Sequence, residues 1–179
     1  MSETSEILVG TSILKTFAAC CAASALCATA AQADLNIRFI EGAPKDRFQI
    51  NNTGSCDIKS ATLSVDLSSS QGALIFDVTE SGAGVEVYQP FELVEGRTAI
   101  AAVPSILDGQ NALSLDVVRL KPGESIAFTI DVDDTLGARE ITVTDSEISG
   151  ATVHLAQGDQ INTAVFSSAA SATLPVRSC

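Results

Sequence analysis

The chain has 179 residues, 22 acidic against 10 basic, and a net charge of −12. That field repels polyanions, so nucleic acid and anionic membrane surfaces are not expected as partners. One histidine and no tryptophan leave no histidine-built metal centre and no tryptophan-on-disulfide core of the antibody kind.

From Phe17 to Ala33 the chain carries no charge and is mostly Ala, Cys, Leu, Thr and Phe. Lys15 precedes this stretch, and Ala31-Gln32-Ala33 has the small-x-small pattern of a cleavage box. Residues 1–33 therefore read as a signal peptide, with maturation to Asp34. The acidic start, through Glu3 and Glu6, is untypical and points to a later true start or an extended n-region. A membrane anchor would need about 20 strongly apolar residues, and this stretch is shorter and rich in alanine. Lipidation is disfavoured: Leu26 precedes Cys27 where a small residue is wanted, and too little apolar sequence precedes Cys20. The expected mature chain is secreted or on the cell surface, with the periplasm as a further option, and has no transmembrane segment.

The remaining residues, 34–179, read as a single all-β domain. Leu35-Asn36-Ile37-Arg38-Phe39 alternates apolar and polar, as do Leu63-Ser64-Val65-Asp66-Leu67 and Leu113-Ser114-Leu115-Asp116-Val117. Ile126-Ala127-Phe128-Thr129-Ile130-Asp131-Val132 puts four large apolar side chains on one face. This is the period of strands with one buried and one wet face. Between them stand turn signals such as Glu41-Gly42-Ala43-Pro44, Asn51-Asn52-Thr53-Gly54 and Lys121-Pro122-Gly123-Glu124. The pattern predicts ten to twelve short strands, near 35–40, 46–51, 60–67, 73–78, 84–88, 91–94, 98–102, 112–119, 125–132, 139–144, 150–156 and 161–166. With no helical stripe among them, the expected fold is an Ig-like antiparallel β-sandwich. Ser167 to Ser171 reads as a mobile Ser/Ala-rich tail.

Two cysteines, Cys56 and Cys179, lie beyond the leader. In an oxidising compartment they are most simply a disulfide, closing about 124 residues and fastening the tail beside an early strand; two unpaired thiols are the alternative. His154 alternates with Val153 and Leu155, which makes it a solvated strand histidine, and no nucleophile motif stands ready to use it. Gly82-Ala83-Gly84 lacks the third glycine and the helix of a phosphate cradle. Catalysis is therefore not expected.

Asp131, Asp133 and Asp134 form the one acidic cluster of note. Alternation places Asp131 and Asp133 on one wet face, about 7 Å apart by strand rise, and Asp134 opens the turn towards Gly137. Hard oxygen donors at a strand end can hold calcium, with Asp77, Glu86 or Glu147 as further donors from elsewhere. The spacing is not an EF-hand, because the glycine falls seventh and Thr142 stands at position twelve. The bland alternative is a solvated edge whose charges discourage strand addition.

Three stretches carry a resemblance. They are Arg38-Phe39-Ile40-Glu41-Gly42-Ala43-Pro44-Lys45-Asp46-Arg47-Phe48 leading into Asn52-Thr53-Gly54-Ser55-Cys56, then Gly82-Ala83-Gly84-Val85-Glu86-Val87-Tyr88-Gln89-Pro90-Phe91-Glu92, then Phe128 to Leu136 with Arg139-Glu140-Ile141-Thr142-Val143. Over about residues 36–155 the chain resembles bacterial proteins labelled aggregation-factor-core-like, after the core protein of the sponge aggregation factor. Leu120 to Ser125 also resembles the Pro-Gly-Glu turn of bacterial Ig-like surface modules. The resemblance implies an extracellular, calcium-associated role in adhesion or aggregation. The expected function is a non-catalytic binding or structural module with an extracellular protein or glycan partner. A carbohydrate-binding module is the alternative, weakened by one Tyr, no Trp and seven Phe, which leave few rings to stack on sugars. A secreted hydrolase would need a site that these residues do not form.

Overall fold

The computed structural model describes residues 33–80, 88–136 and 143–176. Ten strands follow in order: β1 (Ala33–Ile40), β2 (Asp46–Asn52), β3 (Ile58–Asp66), β4 (Ile75–Asp77), β5 (Glu92–Glu95), β6 (Ala112–Leu120), β7 (Ser125–Asp133), β8 (Thr152–Gln157), β9 (Gln160–Val165) and β10 (Ser171–Val176). One sheet runs β10-β1-β2-β7-β4, with β5 also on β7; the other runs β6-β3-β8-β9. Every pairing is antiparallel. Two antiparallel sheets packed together make a β-sandwich, as the alternation of apolar residues predicts.

The core follows from that period of two. Leu35, Ile37 and Phe39 of β1 face Phe48 and Ile50 of β2 and Ile126, Phe128 and Ile130 of β7, all essentially inaccessible. Leu63, Val65, Leu113, Leu115, Val153 and Leu155 close the cluster from the second sheet. Phe48 is its centre: its ring stacks on Phe128 at 5.1 Å and meets Phe39 edge-on at 5.2 Å and Phe166 at 6.4 Å. Phe48→Ala is expected to cost about 3–5 kcal/mol, since the cavity cannot collapse when its walls are strands held in register. Urea unfolding would show this as a lower midpoint at unchanged slope.

The turn between β6 and β7 forms as its residues dictate. Gly123 takes φ +77, and Glu124 folds back so that its carboxylate accepts the Lys121 N–H at 2.9 Å. Two expectations need correction. Residues 98–102 are not a strand: Ile100 makes a single bridge to Val117, and Ala99 and Ala101 bond along β6. The C-terminal tail is not loose either. Ser167 to Ala170 makes a tight turn, and Ser171–Val176 is strand β10, with Ala172, Leu174 and Val176 buried against β1. Its period-2 pattern outweighs its Ser/Ala composition, because alternate burial of three apolar side chains offsets the ordering of a short strand. The strand expected at 139–144 lies largely outside the described residues, as do 84–87 of the one expected at 84–88, residues 1–32 of the leader and Cys179.

Candidate functional site

The acidic strand end is buried, contrary to the wet face expected for it. Asp131 is 9 % exposed and Asp133 6 %, and the pairing of strands brings them Asp77 at 1 % and Asp46 at 2 %. The cause is the position of β7 inside its sheet. β2 flanks it as far as Ile130, while β4 takes over on the other side, setting Asp77 opposite Asp131 and Ile75 opposite Asp133. Alternation told which side Asp131 and Asp133 face; the neighbouring strands and loops decide that this side is covered.

Asp46 has a definite local task. β2 begins at Asp46, opposite Ile130, so no β2 backbone is left to receive the next inward N–H of β7. The Asp46 carboxylate takes that place: Oδ2 accepts the Val132 N–H at 3.1 Å, and Oδ1 accepts the Gly42 N–H at 3.1 Å. A side chain thus continues the ladder where the strand ends. Sequence reasoning passed over Asp46, because an acid at the start of an alternating strand resembles any solvated residue.

Asp134 is turned differently. Its Oδ1 accepts the Leu136 N–H at 3.1 Å, an Asx-type turn that aims it into its own loop. Glu147 is committed elsewhere too: its Oε2 accepts the Thr144 N–H at 2.7 Å and the Thr144 hydroxyl at 2.8 Å. Of the extra donors considered, Asp77 joins the cluster, Glu147 is held by Thr144, and Glu86 lies outside the described residues.

Crowding of carboxylates in a covered place disfavours charge. Burial pushes the Asp131 carboxyl up to about 7, helped by the charges of Asp133 and Asp77, and Lys45 partly offsets this. Burial likewise pushes Asp46 up to about 7, against the two backbone N–H groups that favour its anion. Lys45 is shared, its ammonium donating to the Pro90 carbonyl at 3.2 Å and to Glu92 at 3.0 Å. Among the described residues, no group of three or more His, Cys, Asp or Glu side chains is arranged to hold a metal ion. The cluster is a concentration of buried negative charge, not a finished cage.

The remaining candidates are structural. His154 is half-buried on the outer face of β8; its Nε2 meets the Thr152 hydroxyl at 3.0 Å and its Nδ1 the Thr163 hydroxyl at 2.9 Å. With both ring nitrogens engaged by threonines, it stands as an ordinary strand histidine. Cys56 is 8 % exposed and disulfide-bonded. Buried Asn52 fixes the backbone beside it, donating to the Cys56 carbonyl at 2.8 Å and the Leu120 carbonyl at 3.0 Å. An open polar cleft of about 570 Å³ lies between β1 and the turn before β10, lined by Arg38, Glu41, Asp145, Ser146 and Ser168 among others. No described helix is long and apolar enough to cross a membrane.

No family model matches the chain, and neither a curated protein nor a solved structure matches it.

Proposed function

We propose that the chain is a secreted or cell-surface module, an Ig-like β-sandwich that acts by binding or as a structural part, and that calcium serves it at the buried carboxylates. The observation that carries this is the gathering of Asp46, Asp77, Asp131 and Asp133 under cover at one strand end. Such charge is relieved by hydrogen bonds and ion pairs, by protons or by a bound cation, and a bound cation relieves several carboxylates at once. Outside cells calcium is plentiful, and sites there bind it at about 10⁻⁴ to 10⁻³ M through carboxylate and carbonyl oxygens. The resemblance to aggregation-factor-core-like proteins points the same way.

A melt with calcium and with chelator tests it. At tenfold excess over the dissociation constant, binding to the folded state adds about 1.4 kcal/mol, which raises the melting point by roughly 3–6 °C. The Asp131→Asn, Asp133→Asn double variant keeps the shape and removes two charges. It is expected to lose the calcium increment and, chelated, to melt no lower than chelated wild type. If magnesium or salt reproduces the effect in both proteins, the calcium reading is withdrawn.

The polar cleft favours a second reading, a carbohydrate-binding module, because Arg38, Glu41, Asp145 and the serines offer donors and acceptors to sugar hydroxyls. Against it, the cleft's own ring, Phe39, is 2 % exposed, and among the described residues Tyr88 is the large aromatic that stands out in solvent. Glycan binding lost in Arg38→Ala would favour this reading over the first.

A further inference from the structure

We propose that β9 is a docking edge for a second copy of this chain, the two β9 strands pairing antiparallel about Thr163. Sheet edges are places where a chain either blocks addition of a strand or uses it. Three edges here are blocked. β10 carries Pro175, which has no N–H to give. On the opposite side of that sheet stand β4, three residues long, and β5, which slips register between Leu93 and Glu95. The outer edge of β6 is occupied by Ala99 to Ala101, with Val118 N–H donating to Ala99 O at 2.8 Å and Ala101 N–H to Asp116 O at 2.9 Å.

Among the described residues, β9 has none of these devices. Gln160-Ile161-Asn162-Thr163-Ala164-Val165 contains no charge and no proline, and it pairs with β8 without interruption from Thr152↔Val165 to Gln157↔Gln160. In a chain of net charge −12, an uncharged six-residue edge is where two copies can approach with least local repulsion. An open groove of about 510 Å³ runs beside it, lined by Gln160 to Thr163 and Pro175.

The direction of the backbone groups limits the register, and the greatest overlap of the two strands centres it on Thr163. Phe166 gives its N–H to Ala151 at 2.8 Å and takes that of Gly150 at 3.0 Å, so its polar groups face β8. Alternation turns those of Ala164, Asn162 and Gln160 the same way and those of Val165, Thr163 and Ile161 to the free edge. Self-pairing of these three about a two-fold axis at Thr163 sets Ile161 against Val165, Thr163 against Thr163, and Val165 against Ile161. About six backbone bonds form. The side chains so matched are those exposed on the outer face, Ile161 at 71 % and Val165 at 57 %, and β-branched cross-strand pairs stabilise a sheet. This self-complementarity commits the edge to a second copy. The strand is too short to bury a standard interface of about 1,600 Å², so the dimer is weak and depends on concentration. It does not depend on the calcium reading.

Sedimentation of the full chain over a wide concentration range tests this. Wild type is expected to pass from monomer to dimer, more readily at higher salt, where overall repulsion is screened. Ile161→Lys with Val165→Lys places like charges directly opposite across the axis, and dimerisation is expected to weaken at least tenfold. Ile161→Glu with Val165→Glu does the same by itself. An equal mixture of the two variants then pairs Lys with Glu at each of these positions and is expected to restore the dimer. Both variants should keep the wild-type melting point, since the substituted side chains lie in solvent. Wild type that stays monomeric at the highest soluble concentration overturns the proposal. So does a lysine variant that dimerises like wild type, or a mixture that stays monomeric.

Discussion

In chelator, the folded state is expected to lose stability as the pH rises from about 5 to about 8. Asp46 and Asp131 hold protons up to about 7 in the fold, against an ordinary value of 3.8. Between those values the folded chain binds more protons than the unfolded one, so the slope of stability against pH is negative. The contribution is fully present below about 3.8 and is lost as the pH passes through about 7. A shift of this size on one buried carboxyl corresponds to about 4 kcal/mol. Asp131 and Asp46 sense neighbouring charge in common, so the pair together gives less than twice that. Carboxylates elsewhere act in the opposite sense. Arg119 beside Asp57, the Ser68 hydroxyl and N–H on Asp66 and the Lys121 N–H on Glu124 hold these three below their ordinary values, and their support is lost in acid. Maximum stability is therefore expected near about pH 4. Urea unfolding from pH 4 to 8.5 in chelator measures the curve, and Asp46→Asn with Asp131→Asn should flatten its alkaline side. Calcium at pH 8 should restore part of the loss. Stability that holds level or rises from pH 5 to 8 would show the carboxylates to be solvated after all.

Reduction of the disulfide is expected to cost about 4 kcal/mol and to lower the melting point on the order of 10 °C. Cys56 is disulfide-bonded and buried, and Cys179 is proposed as its partner. The topology favours that choice. Leu35 of β1 stands between Asn52 on β2 and Leu174 on β10, so the turn carrying Cys56 and the end of β10 lie at the same end of the sheet. A bridge closing about 124 residues restrains the unfolded chain strongly. It also fastens β10, an edge strand whose described ladder partner is β1. Cys56→Ser and Cys179→Ser are expected to give equal losses, and the double variant no more than either. Non-reducing peptide mapping should recover the two cysteines on one linked fragment. Unchanged melting in reductant, or Cys56 linked to another residue, would refute the pairing.

Local sequence determined the strands and their faces. A period of two in Leu35–Phe39, Leu63–Leu67, Leu113–Val117 and Ile126–Val132 needs only that apolar side chains leave water, and each run is a strand with those residues inside. The same rule was present in Ala172, Leu174 and Val176, where Ser/Ala composition obscured it. What the sequence could not supply is which strands are neighbours, since pairing is decided by contacts between residues far apart in the chain. Asp46, Asp77 and Asp131 are separate acids in the sequence, and only the order β2-β7-β4 sets them side by side. The depth of Asp131 and Asp133 has the same origin: alternation fixes the side of a strand, but cover on that side comes from other elements. β9 shows the converse. Its residues alternate like those of a strand with neighbours on both sides, and only its place at the end of β6-β3-β8-β9 leaves Ile161, Thr163 and Val165 with backbone groups turned outward, because a sheet ends where no further described strand pairs with it.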